Sequence, residues 1–172
     1  IYFSLLGPTE QFAPTAKVNL ILLFASTAEV AAISVGASES DIKRMYEFGD
    51  NLGICFQIRD DIFDYFDNSK IGKPTGNDLL EGKLTLPVLY ALNSSHDKAM
   101  MSLAAKIKEG SGSKEDVATL VDFTKSNGGI EYAENCMMNF SNRALNLISD
   151  FKQESIRHSL ESYIAFVIQR NI

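Results

Sequence analysis

Five aspartates stand within the twenty-one residues IRDDIFDYFDNSKIGKPTGND (58–78), in a stretch otherwise rich in Ile, Phe and Tyr. Like charges at i,i+4 on a helix cost roughly a few tenths of a kcal/mol each in water, and more once desolvated. Something cationic must hold them together. With Asp60 set at zero on a helical wheel, Asp64 falls at about 40°, Gln57 at about 60°, Asp61 at about 100°, and Gly49, Gly53 and Asp67 within about 20°. Cys55, Ile58, Ile62 and Phe66 point the other way, into packing. Hard oxygen ligands without His or Cys suggest Mg²⁺, which keeps several waters and binds through one or two carboxylates plus phosphates.

Two rival metal or phosphate motifs fail on pattern. The calcium loop D-x-[DN]-x-[DN]-G is absent, and the phosphate loop G-x-x-x-x-G-K-[ST] is not met. GNDLLEGKLT has five residues between its glycines, and Leu84 follows the lysine where Ser or Thr is required. Lys70, Lys73 and Lys83 follow the aspartates, and Gly72 and Gly82 let the backbone turn their ammonium groups toward the carboxylates. Carboxylates, lysines and a dry pocket floored by small residues together fit an organic diphosphate.

The elements that must position these groups read as helices throughout. No sustained alternation or hairpin dipeptide marks a strand. A first long helix ends at Gly36, and Ser38 or Ser40 caps a second that runs from about residue 39 to about residue 66. A Gly/Pro/Asn-rich loop covers 67–82, and Pro87 sits just inside the next helix start. Further amphipathic helices fit 97–109, 114–127, 130–151 and 154–170. The fold class is all-α, expected as a single domain over 1–172.

Composition closes off other functions. A hydrophobic fraction of 45% with 22% charged residues is ordinary globular content. A net charge of −6 opposes nucleic-acid binding, which needs basic surface. The stretch VNLILLFASTAEVAAISV (18–35) carries Asn19, Ser26, Thr27, Glu29 and Ser34, so a core helix is expected there and no transmembrane segment. No signal-peptide pattern is visible, and a cytoplasmic location is expected. Cys55 and Cys136 have no metal or redox spacing and are expected as buried thiols.

Residues 49–92, GDNLGICFQIRDDIFDYF…IGKPTGNDLLEGKLTLPVLYAL, closely resemble the second aspartate-rich region of trans-isoprenyl diphosphate synthases, nearest the long-chain octaprenyl-type members. Phe56, Gln57, Asp60, Asp61 and Asp64 meet the family pattern F-Q-x-x-D-D-x-x-D. Gly72–Lys73, Gly76–Asp78 and residues 81–87 meet its later segments. The resemblance implies an isoprenoid-synthase-type helical bundle, a homodimer, and Mg²⁺-dependent elongation of an allylic diphosphate by isopentenyl diphosphate. It implies Asp60 as direct Mg²⁺ ligand, with Asp61 and Asp64 sharing the ion or its water, and Lys73 and Lys83 on the allylic diphosphate. Phe56 and Gln57 would line the substrate site and Asp78 would support it. Only one of the family's two aspartate-rich motifs is present, Asn19–Leu20 stand where its Lys–Thr is expected, and residues 1–20 do not match. The chain is therefore expected to be the C-terminal part of a longer enzyme, inactive alone. The alternatives are a non-catalytic helical partner subunit of a prenyl synthase and a class I terpene cyclase.

Overall fold

The computed structural model describes residues 15–66 and 75–169. Every regular element among them is a helix: α1 (Thr15–Ser34), α2 (Glu39–Phe63), α3 (Asn77–Leu80), α4 (Leu86–Ser95), α5 (Lys98–Lys108), α6 (Lys114–Ser126), α7 (Gly129–Ile148) and α8 (Glu154–Gln169). The all-α prediction holds, and only the single-turn α3 lies where a plain loop was predicted. Two compact units divide the chain, one of Thr15–Arg59 with Cys136–Asn171, the other built on Asp60–Asn135.

In the first unit the apolar residues of α1 are not confined to one face, polar Ser26, Thr27 and Glu29 lie among them, and its buried positions, Ala25 and Ala32, lie two helical turns apart. They mark the side against α2, where small residues let two backbones approach. A Cβ added at Gly49 would stand 2.4 Å from the Phe24 carbonyl oxygen, and one at Gly53 would stand 2.9 Å from Ile21 Cα. The sequence reading places both glycines on the floor of an open slot. The structure gives them to a helix–helix contact instead, because only a residue without a side chain tolerates a neighbouring backbone that close. Beside that contact is a largely hydrocarbon cavity of about 390 Å³, lined by Leu23, Phe24, Ala28, Phe48, Gly49 and Tyr163 among others. Helix α1 exposes Leu22, Leu23, Val30 and Ile33, and Val35 just beyond its end is exposed as well.

Ser38 is the cap of α2, its hydroxyl accepting from Asp41 N at 3.2 Å. The same end is tied down by Arg44, which donates to both Asp150 oxygens at 2.8 and 3.0 Å and to Asp41 at 2.8 Å, with its guanidinium over the Phe151 ring. Cys55 and Cys136 are buried and not disulfide-linked, as predicted. Cys55 Sγ donates to the Met137 carbonyl at 3.4 Å, and burial pushes its pKa up to about 12.

In the second unit α6 packs on α4 and α5 through Val117, Leu120, Val121 and Thr124. Each apolar side chain buried in this way is worth roughly 1.5–3 kcal/mol. The start of α6 is fixed by a capping box between Ser113 and Asp116, and Lys106 of α5 reaches the same aspartate at 2.6 Å. Tyr90 of α4 stacks on Tyr132 of α7 with centroids 4.0 Å apart. His96 is the C-cap of α4, its amide donating to the Leu92 carbonyl. None of the described helices is long and apolar enough to cross a membrane.

Candidate active site

The acidic cluster falls at the C-terminal end of α2. Asp60 and Asp61 lie in its last turn, which carries no basic residue, and Asp64 follows directly after Phe63. That end of a helix carries partial negative charge, so carboxylates placed there oppose the macrodipole as well as one another. Positive charge has to be brought to them from elsewhere in the chain or from solution.

Helix α2 was predicted to run to Phe66 but stops one turn sooner. Its end tightens into i,i+3 bonds, Tyr65 N to Ile62 O and Phe66 N to Phe63 O, both 3.1 Å. The cause is tertiary. The Asp64 carbonyl accepts from Gly76 N at 2.7 Å, and its Oδ2 accepts from Asp78 N at 3.0 Å. Both halves of Asp64 are thus turned onto the entry to α3.

From there a short bonded path leads to Lys83. Helix α3 closes with Gly82 N donating to Leu79 O at 2.9 Å and Lys83 N donating to Asp78 O at 2.8 Å. Gly82 takes the left-handed conformation this closure needs, φ +73, and a Cβ there would lie 3.0 Å from the Lys108 carbonyl. Lys83 Nζ sits 3.7 Å from Asp78 Oδ1 and in direct contact with the Glu81 carboxylate. Of the predicted site residues, Asp64, Asp78 and Lys83 are therefore brought together within one unit.

The others are placed as follows. Asp60 is half-buried, while Asp61 is 1% and Gln57 3% exposed. Phe56 packs on Phe24 with ring centroids 5.4 Å apart. Lys73, Lys70 and Asp67 lie outside the described residues. Glu81, Tyr65 and Thr85 join the site without having been singled out in the sequence. Glu81 and Thr85 belong to the EGKLTLP segment, but nothing in their spacing says that one would touch Lys83 and the other Tyr65.

Among the described residues no group of three His, Cys, Asp or Glu side chains is gathered as a metal cage. Mg²⁺ does not demand one. It keeps much of its water and takes one or two carboxylates together with ligand phosphates. The all-oxygen donors at the end of α2, with lysine charge at Asp78, fit that ion.

Comparison with known proteins agrees with this architecture. The family model described as polyprenyl synthetase matches residues 18–124. The rice (Oryza sativa subsp. japonica) protein named solanesyl-diphosphate synthase 2, chloroplastic is 34% identical over 149 residues, covering 86% of this chain and 36% of that protein. Heptaprenyl diphosphate synthase component 2 of Geobacillus stearothermophilus is 33% identical over 168 residues, covering 95% and 50%. The crystal structure of geranylgeranyl pyrophosphate synthase from Bacteroides thetaiotaomicron superposes with a TM-score of 0.83 at 45% identity, covering 88% of this chain and 50% of that one. The all-α architecture is that of an isoprenoid-type synthase, and the chain belongs to the polyprenyl synthetase family. It spans half or less of the length of these relatives.

Proposed function

We propose that this chain supplies the diphosphate-binding side of a prenyltransferase that condenses an allylic diphosphate with isopentenyl diphosphate and releases pyrophosphate. The observation that carries the proposal is the bonded path from Asp64 through Asp78 to Lys83, which holds carboxylates and an ammonium group side by side in one unit. As the allylic carbon–oxygen bond breaks, negative charge develops on the departing diphosphate. Pre-placed positive charge at that point lowers the barrier more than it stabilises the bound substrate. Lys83 would meet those oxygens, together with Lys73. Mg²⁺, when bound, supplies the remaining charge neutralisation. Asp60 would hold it directly, with Asp61 and Asp64 sharing the ion or its water. Asp64 Oδ2 is also committed to α3, which fixes the carboxylate's orientation. Gln57 and Phe56 would line the substrate site one turn earlier on α2.

The exposed apolar residues of α1 support a further part of the proposal. A helix whose apolar residues are not confined to one face belongs to an interior or an interface. The chain works, on this reading, as part of a homodimeric cytoplasmic synthase and elongates nothing by itself. A second reading is a non-catalytic helical subunit of a prenyl synthase; relatives named as component 2 of a heptaprenyl diphosphate synthase support the presence of a partner subunit. Thermal unfolding with Mg²⁺ and inorganic pyrophosphate separates the two. Stabilisation that disappears in Asp60→Ala and Lys83→Ala supports the diphosphate site, and absence of any shift leaves the scaffold reading standing. Incubation with Mg²⁺, farnesyl diphosphate and labelled isopentenyl diphosphate should give little product, and robust elongation by the chain alone would overturn the half-site.

A further inference from the structure

Tyr65 follows Asp64 directly and is the largest fully buried side chain among the described residues, 1% exposed. A phenol hydroxyl removed from water needs partners, or its burial is costly. One is present, Thr85, with Oγ1 at 3.5 Å from the phenol oxygen. The Thr124 hydroxyl is committed to the Leu120 carbonyl, to which it donates at 2.8 Å. In the Tyr65–Thr85 pair either hydroxyl can be the donor. Thr85 stands at the N-cap of α4, yet its side chain makes no capping bond there. It is itself buried, so its hydroxyl is directed inward at Tyr65 rather than spent on the helix it precedes.

The arrangement brackets Lys83. Asp64 grips Asp78, whose carbonyl receives the Lys83 amide, and the neighbouring Tyr65 grips Thr85, two residues beyond Lys83. Two consecutive residues at the exit of α2 therefore hold the chain on both sides of the lysine. A phenylalanine at 65 would fill the same volume. What the hydroxyl adds is a fixed register between the acidic helix end and the lysine segment.

We propose that Tyr65 is a positioning residue, acting through Thr85 to hold Lys83 against the carboxylate cluster where the diphosphate binds. This rests on the reading of Lys83 and the aspartates as a diphosphate site. The test is calorimetric titration of the chain with inorganic pyrophosphate in Mg²⁺, alongside thermal unfolding of each variant. Loss of one hydrogen bond's worth of positioning should weaken binding by about three- to tenfold in Tyr65→Phe. Thr85→Val should behave alike, while Thr85→Ser retains binding. Lys83→Ala should cost less in the Tyr65→Phe background than in the wild type, because the tyrosine acts only through that lysine. A hydroxyl with a purely structural role would lower the melting temperature and leave the two losses multiplicative. Wild-type binding with unaffected Tyr65→Phe and Thr85→Val, or with multiplicative losses, overturns the positioning role alone. No binding by the wild type overturns the diphosphate site itself and this role with it. Should Tyr65→Phe not fold, the Thr85 pair gives the same decision.

Discussion

Gly49→Ala sets two simple rules against each other. On helix propensity alone, alanine at a mid-helix glycine gains about 1 kcal/mol. The structure reverses the sign. The new Cβ would stand 2.4 Å from the Phe24 carbonyl oxygen and 2.8 Å from Ala25 Cα, whereas ordinary van der Waals contact begins near 3.4 Å. The α1 backbone would have to retreat by about 1 Å, the difference between 3.4 and 2.4 Å. Neither atom is the end of a flexible side chain, so the helix must move as a body and loosen the packing of Ala25 and Ala32. Overpacking of this kind costs about 1–3 kcal/mol, and rigid backbone puts it at the upper end. The net expectation is a loss of about 2 kcal/mol, or a urea midpoint lower by about 1 M. Gly53→Ala meets its nearest backbone atom at 2.9 Å, so its net change should be smaller. Urea unfolding followed by far-ultraviolet circular dichroism measures both. A Gly49→Ala midpoint equal to or above the wild type would refute the close α1–α2 contact.

Three further outcomes are expected. Glu81→Gln removes a carboxylate that competes for Lys83 while keeping a polar side chain for Asn77, so pyrophosphate affinity in Mg²⁺ should rise, by no more than about fivefold for so exposed a pair; a weaker complex would mean that Glu81 helps rather than competes. Hydrogen bonds from Lys106 and from the Ser113 amide hold the Asp116 carboxyl below its usual 3.8, so its contribution is intact above about pH 4 and is lost as pH falls through the lower folded value. Urea midpoints at pH 6 and pH 3 should therefore differ less in Asp116→Asn than in the wild type, and equal differences would count against the capping box. Burial holds the Cys55 thiol up at about 12, so at pH 8 a thiol-reactive disulfide reagent should modify it only as the protein unfolds; rapid labelling of Cys55 in the native protein would show that this part of the core is open.

The amino-acid sequence by itself determined the helices and displayed the residue types on which the proposed chemistry rests. Apolar spacing, Ser38 and Ser113 before helix starts, and Pro87 inside α4 are local signals, acting within one or two turns, and a single chain displays them without its fold. The aspartate spacing and the lysines after it were equally legible, because hard oxygen donors and ammonium groups suit diphosphate in any scaffold. Tertiary structure decided what depends on distant partners. Gly49 and Gly53 became a helix crossing because α1, some thirty residues earlier, lies against them. Helix α2 stopped at Phe63 because the amides of Gly76 and Asp78 competed for Asp64. The buried phenol of Tyr65, which looks in sequence like one more greasy residue beside Phe66, found Thr85 twenty positions away. Helical periodicity fixes which face a residue occupies, but only packing fixes what stands opposite.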